Sequence, residues 1–322
     1  MGELRRFLRT RTYAFALVLT GILFAATVVV QPTFGSPGNW GTNLALFTPF
    51  ALVAIAGTPA ILSGGGGIDI SVGLNAGLVS NVLVLYLLPG RLSSPWVAVP
   101  LVLALGTAIG LFNGFSVAVL RYQPVIATLC ALFVIQGVNL KIVNGAPAPA
   151  PPSWLEHLRA GFGPIPGGLV LLACPVVLWI LLRLTPFNRI LLSVGGNDAA
   201  AYSSGVNVTA VRLVAYALGG LFAAVAGIAI AMLLQGSDAN AGLEYVLIAL
   251  AAIALGGTPI GGGRGGLVGA IVGAAAIFLI QSLLAGLNVD AYWNQVVYGL
   301  MLVVGAIVGA QLTAPPKQEA VG

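Results

Sequence analysis

Charged side chains are scarce in this chain: 7% of 322 residues, against about 25% in soluble domains. With 59% hydrophobic residues and a mean hydropathy of +1.04, the chain has too little charge to cover a water-facing surface. Lysine occurs at two positions, Lys141 and Lys317, and neither follows a glycine loop of the G-x-x-x-x-G-K-[ST] kind. That excludes ATP hydrolysis by a phosphate-loop mechanism within this chain. Histidine occurs once, as His157 in a proline-rich stretch, and reads as a solvated loop residue. Metal and histidine-based catalytic sites need several convergent ligands, so they are nearly excluded too. The two cysteines, Cys130 and Cys174, lie inside apolar runs and read as small core residues rather than a disulfide or metal framework. The chain is accordingly expected to be no enzyme.

What is present is long apolar sequence. The runs are continuous and rich in Leu, Ala, Val and Gly, without the ten-residue alternation of a membrane barrel. Helices of ~20 apolar residues cross the hydrocarbon core with every backbone group paired internally. About ten spans are predicted, roughly 13–31, 43–63, 68–89, 96–119, 124–143, 168–185, 211–235, 243–256, 266–287 and 293–312. The eighth is short and flanked by glycine, which suits a tilted, broken or partly buried helix. The expected fold is an all-α polytopic membrane protein, a single permease-type domain over 1–322. Arg5, Arg6, Arg9 and Arg11 precede a first run that is too long for a usual h-region and has no clear cleavage site, so it reads as an uncleaved span.

Basic residues stand singly at the ends of the runs, as topology determinants do; they form no nucleic-acid patch. With the N-terminus inside and ten spans, ten of the thirteen Lys and Arg residues fall inside; Arg91, Lys141 and Arg159 fall outside. N-in, C-in follows, with cytoplasmic tails at 1–12 and 313–322 and a central cytoplasmic loop at 185–210. In that loop Asn197 is the candidate cap of a short helix, Ala199 to Ala201 favour it, and Gly205 is the candidate stop. Such a helix suits docking to another protein. The outside loop from Asn144 to Gly167 carries six prolines and Trp154, an expected interfacial anchor.

No carboxylate relay can be drawn through the spans. Asp69 is the one acid near a span interior; Asp198, Asp238 and Asp290 fall in loops and Glu244 near a span end. Uncharged polar groups are commoner: Asn75, Asn81, Asn113, Gln136, Asn139, Gln281 and Gln295. They suit a path for a neutral hydroxylated solute, although for any one of them hydrogen bonding between helices is the readier reading. The most specific feature runs from Gly64 through Gly67, Ile68, Asp69, Ile70, Ser71 and Val72 to Gly73. Its glycines permit a tight or left-handed backbone, and Asp69 or Ser71 can cap the next helix. A capped re-entry turn and a polar element lining the conduit both fit. A faint echo links Ala54–Pro59 to Ala254–Pro259, each followed by glycines; both copies fall on one side, unlike an inverted repeat.

This glycine-rich segment resembles the G-G-I-D-[LI]-S-V-G signature of ribose-type sugar importer permeases, within the ATP-binding-cassette superfamily. Four further collinear blocks resemble the same family: Asn113 to Leu129, Gly196 to Val206, Gly256 to Gly269, and Trp293 to Gly299. Two departures stand out. Ser63 and four glycines replace the usual Thr-Gly-Gly run, and the segment from Glu244 to Leu250 keeps the family's acid with different neighbours.

The resemblance implies a type II ABC importer permease-like fold in the bacterial cytoplasmic (inner) membrane. It implies a homo- or heterodimer of permeases, a cytoplasmic ABC ATPase, an extracytoplasmic sugar-binding protein, surrounding lipid, and no nucleic acid. ATP and Mg would belong to the partner ATPase, and no cofactor to this chain. The substrate would be a pentose, hexose or related small carbohydrate. A permease for branched-chain amino acids or nucleosides is the alternative, and an ATP-independent secondary transporter a further one. The implied coupling residues are Gly196, Asn197, Asp198, Ala199, Ala200, Tyr202, Ser203, Gly205 and Val206. Arg264 joins them as an ATPase contact or an ordinary topology arginine. Pathway or gate candidates are Asp69, Ser71, Asn75, Asn113, Gln136, Trp293 and Gln295. Trp293 also suits an interface belt.

Overall fold

A computed structural model describes residues 13–144, 153–163 and 165–313; the tail residues assigned to the cytoplasm lie almost wholly outside these. Among the described residues the chain is helical, with an isolated bridge between Phe162 and Ile165. The helices are α1 (Ala14–Val30), α2 (Trp40–Leu62), α3 (Val72–Val82), α4 (Pro95–Ala118) and α5 (Pro124–Val143). Next come α6 (Ser153–Ala160), α7 (Gly167–Leu184), α8 (Pro186–Gly196), α9 (Asp198–Ser203) and α10 (Val208–Leu234). The last are α11 (Leu243–Leu255), α12 (Leu267–Gly286) and α13 (Tyr292–Thr313). Six are long and apolar enough to cross a membrane, and four shorter stretches are also apolar: Ala14–Val30, Val72–Leu87, Leu243–Leu255 and Tyr292–Ile307.

Helix α10 forms the hub, packed against α2, α3 and α4. Small residues set its distance from α4: a Cβ on Gly220 would lie 2.2 Å from the Gly106 carbonyl oxygen. Apolar lipid offers no hydrophobic drive between helices, so close backbone approach of this kind supplies dispersion contact instead. Helix α3 runs on into a π-turn at Leu83–Leu87, closed by Leu88 N donating to the Leu83 carbonyl at 3.0 Å.

Helix α11 has 13 residues, about 20 Å of rise against a hydrocarbon core of about 30 Å. Nine of these residues are buried, and the helix packs between α13, α12, α2 and α3. Irregular backbone follows it, and precedes α3, inside the bundle. Such backbone is tolerated in a membrane protein where protein buries it or water reaches it.

The structure corrects several expectations. Cys130 and Cys174 are exposed on the outer faces of α5 and α7, not in the core; an apolar run in lipid need not face inward. The central loop holds two helices, not one, since Thr185 accepts from Phe187 N and starts α8 at Pro186. His157 lies on α6, an amphipathic helix within the long outer segment, rather than in a loop. Trp154 on that helix is half-buried and donates its indole N–H to the Ser93 carbonyl at 2.8 Å, so it ties two loops together.

Candidate functional site: a buried Asp69 network, a glycine junction and an outer cavity

Asp69 is 5% exposed, in the irregular segment between α2 and α3. Its Oδ1 accepts from Ser71 N at 2.9 Å and from the Ser71 hydroxyl at 2.7 Å. Asn113, from α4, donates to Ser71 Oγ at 2.7 Å and to the Asp69 carboxylate at 3.3 Å. From α5, Thr128 accepts from Ile70 N at 3.3 Å and donates to the Ile68 carbonyl at 3.2 Å. Three elements thus hold one carboxylate and one non-helical strap. Ser71 occupies the N-cap position of α3 without a side-chain cap bond, so neither predicted side chain caps that helix. The acid fixes the turn before it. The buried carbonyl oxygens of Asn75 and Asn113 have no partner among the described residues. Unsatisfied buried groups of this kind are few in native proteins.

The glycines preceding Asp69 meet two other loops. A Cβ on Gly195, near the end of α8, would lie 1.9 Å from the Leu62 carbonyl oxygen and 2.5 Å from Gly263 N. One on Gly64 would meet Gly195 Cα at 2.6 Å, and Gly263 N donates to the Leu62 carbonyl at 3.3 Å. Gly64 and Gly263 take positive φ, +70° and +72°, so they are needed for conformation as well as space. The two halves of the Ala54–Pro59 and Ala254–Pro259 echo therefore end side by side, with their glycine clusters interlocked. The α8 end is wedged against them.

Helix α9 continues from this junction. Asn197 caps it, accepting from Ala200 N at 3.0 Å, and Gly205 stops it at φ +83°. Gly196 to Ala200 and Tyr202 to Gly205 are exposed, Tyr202 by 74%; Val206 is half-buried and Ala201 buried. Asp198 pairs with Arg212 of α10 at 2.8 Å, and the Arg212 guanidinium lies against Gly65. Arg264 is exposed on the neighbouring glycine loop.

On the opposite side of the bundle opens a cavity of ≈ 1440 Å³. It is bounded by the starts of α2 and α11, the ends of α10 and α12, and α6. Its polar lining includes Glu156, Arg159, Gln235, Asp238, Glu244 and Gln281. Its floor is aromatic: the Phe50 ring meets Tyr245 edge-on with centroids 5.7 Å apart and Phe278 at 5.6 Å.

Of the pathway candidates, Asp69, Ser71 and Asn113 come together, with Asn75 nearby on α3, bonded to the Gly106 carbonyl at 3.1 Å. Gln136 stands apart on α5, donating to Asn240 at 3.0 Å. Trp293 and Gln295 are exposed at the start of α13. Asn81 and Asn139 bond each other at 3.0 Å, a link between helices. Sequence reasoning missed Arg212 and the cavity floor, because no local pattern marks residues that meet across 14 or 200 positions.

The family model described as branched-chain amino acid transport system / permease component matches residues 39–306. A ribose import permease protein of Escherichia coli strain K12 is 33% identical over 303 residues, 91% of this chain and 92% of its own length. A ribose import permease protein of Bacillus subtilis strain 168 is 33% identical over 298 residues, 91% of each chain. A galactofuranose transporter permease protein of E. coli K12 is 35% identical over 289 residues, 86% of this chain and 80% of its own. No solved structure matches the chain. Matched by that model over most of its length, and by ribose-type import permeases nearly end to end, the chain belongs to this family of ABC transport permease components.

Proposed function

We propose that the chain is the membrane-spanning subunit of an ATP-driven importer that carries a simple sugar, delivered by an extracytoplasmic binding protein. The observation that carries this reading is the near end-to-end relation to permeases named for ribose and galactofuranose import. Ten spans with both termini in the cytoplasm fit the way the helix ends gather. The ends of α2, α8 and α11 and the start of α10 meet at the glycine junction. Thr20 and Thr27 of α1 reach the Val272 and Leu279 carbonyls of α12, so these two helices run parallel. The cytoplasmic face is then the junction side, in the bacterial inner membrane.

In this reading α9 is the coupling helix. Its exposed Tyr202 and Ser203 meet a separate ATPase, which holds ATP and Mg. Asp198 and Arg212 pass displacement of α9 to the glycine segment leading to Asp69. Two permeases, identical or homologous, assemble side by side, and this chain makes and breaks no covalent bond. Asp69, Ser71, Asn75 and Asn113 act as a gate region that can rearrange because two of its carbonyl oxygens lack partners among the described residues.

Detergent co-purification with native partners, followed by peptide mass spectrometry, tests the reading. Recovery of an ABC ATPase and a sugar-binding protein, with ATP-dependent sugar uptake in liposomes, is expected. A stable complex without an ATPase, together with uptake in ATP-free liposomes, would sink it. The family description favours one second reading, a branched-chain amino acid substrate; leucine uptake in place of sugar uptake would establish that instead.

A further inference from the structure

We infer that the start of α12, beside the glycine junction, binds a phosphate group, held by the first-turn N–H groups, the Thr258 hydroxyl and the Arg264 guanidinium. This goes beyond the importer reading, which supplies only the side of the membrane, the cytoplasmic one.

Helix α12 begins without a cap. Its N-cap residue is Gly266, which has no side chain to accept from the first turn, and that turn holds no acidic residue. The first bond of the helix runs from Ala270 N to the Gly266 carbonyl at 3.3 Å. The N–H groups of Leu267, Val268 and Gly269 have no acceptor among the described residues. Free donors at the positive end of a 20-residue helix favour an anion. Space for one is open: a Cβ on Gly266 would meet nothing within 4 Å.

A buried side chain is aimed at the same turn. Gly256 at the end of α11 and Gly269 in α12 pack backbone to backbone, since a Cβ on either would collide with the carbonyl oxygen of the other. That contact brings Thr258, two residues after Gly256, against the turn that starts α12. Thr258 is 2% exposed, and its hydroxyl has no partner among the described residues. The hydroxyl oxygen fills the place where Gly265 would carry a Cβ. A buried hydroxyl without a partner is costly, and an anion oxygen seated at this turn would accept its proton.

Charge completes the set. Arg264 is the one charged residue between Glu244 and Asp290 in sequence. It stands in this same turn, exposed, and forms no ion pair among the described residues. Asp198, the carboxylate at the glycine junction, is already paired with Arg212. A guanidinium engages two phosphate oxygens at once, leaving the others to the hydroxyl and the backbone donors. With 20 residues α12 rises about 30 Å, the thickness of the hydrocarbon core, so its start stands at headgroup level. Ile260 and Val268, beside the turn, are apolar and 44% and 53% exposed. The phosphate has two sources at that level: an anionic lipid headgroup of the cytoplasmic leaflet, or a soluble phosphate ester.

The test follows thermal unfolding of the full-length chain in a neutral detergent. Inorganic phosphate, ribose 5-phosphate and short-chain phosphatidylglycerol are titrated in turn. Chloride at matched ionic strength and short-chain phosphatidylcholine serve as controls. At least one of the three phosphate compounds is expected to raise the unfolding midpoint saturably, and neither control should. A rise with phosphatidylglycerol alone identifies a lipid headgroup as the source; a rise with either soluble compound identifies a free phosphate. Arg264→Gln and Thr258→Val should each weaken the effective compound by about tenfold, the loss of one bond to a charged group. Without phosphate, Thr258→Val should unfold no earlier than wild type, since it removes an unpaired hydroxyl. Stabilisation by none of the three, equal stabilisation by the controls, or wild-type affinity in either variant would each overturn the inference. Failure of the importer reading shows separately, as absent ATP-driven uptake with these titrations unchanged.

Discussion

Arg212, in the first turns of α10, bonds Asp198 at the start of α9 at 2.8 Å while its guanidinium lies against Gly65. One side chain thus touches both the exposed helix proposed to meet the ATPase and the glycine segment that leads to Asp69. The pair is partly solvated, 19% and 51% exposed, so its direct worth to stability is about 0–1 kcal/mol. Its importance is geometric.

Asp198→Arg is therefore expected to leave thermal stability within about 1 kcal/mol, yet to cut substrate-stimulated ATPase activity of the assembled importer severalfold. The combined Asp198→Arg, Arg212→Asp exchange should recover part of that loss. Wild-type coupling in the single variant would show that the pair transmits nothing.

The glycine junction discriminates between neighbours. Gly195→Ala places a methyl 1.9 Å from the Leu62 carbonyl oxygen, whereas a methyl on Gly196 meets nothing within 4 Å. Overpacking of this kind costs about 1–3 kcal/mol, and more where backbone must move. Size-exclusion profiles in detergent should show Gly195→Ala aggregated or depleted and Gly196→Ala like wild type. Equal profiles would mean the three loops are not packed as described.

Asn113→Leu removes the donor that bridges Ser71 Oγ and the Asp69 carboxylate. Leaving buried acceptors short of a donor costs about 1–3 kcal/mol. A lower unfolding midpoint in detergent is expected. Asp69→Asn combined with Asn113→Leu should cost less than the sum, because the two share one network. Strict additivity would separate Asn113 from Asp69.

Tyr202 is 74% exposed on α9. Tyr202→Ala should reduce the ATPase recovered by affinity purification of the permease, without altering its unfolding midpoint. Undiminished recovery would place the docking contact elsewhere.

Cys130 and Cys174 face outward. The double Cys→Ser variant should stay within about 0.5 kcal/mol of wild-type stability, as surface changes do. A large loss of thermal stability would restore them to the core.

Much of the element order was legible in the chain. The ten apolar runs from 13–31 to 293–312 coincide with ten of the helices within a few residues, since continuous apolarity and helix-compatible composition act locally. The α9 cap at Asn197 and its stop at Gly205 were legible for the same reason: a cap bond spans three residues and a left-handed turn one. Helix α6 and helix α8 were not, because each is short and set among prolines or polar residues, where packing rather than periodicity decides.

By itself, then, the sequence determined the solvent, the long apolar helices and the family resemblance, all of which follow from composition and short-range spacing. Which apolar faces turn outward is invisible in a run that is apolar all round, and Cys130 and Cys174 show it. That Asn113 would complete the Asp69 turn, that Arg212 would reach Gly65, and that Glu244 would line one cavity with Phe50 and Phe278 depended on tertiary contact. Those positions are separated by tens to hundreds of residues, and only close packing of α2, α4, α10, α11 and α12 sets the distances on which hydrogen bonds, ion pairs and cavities depend.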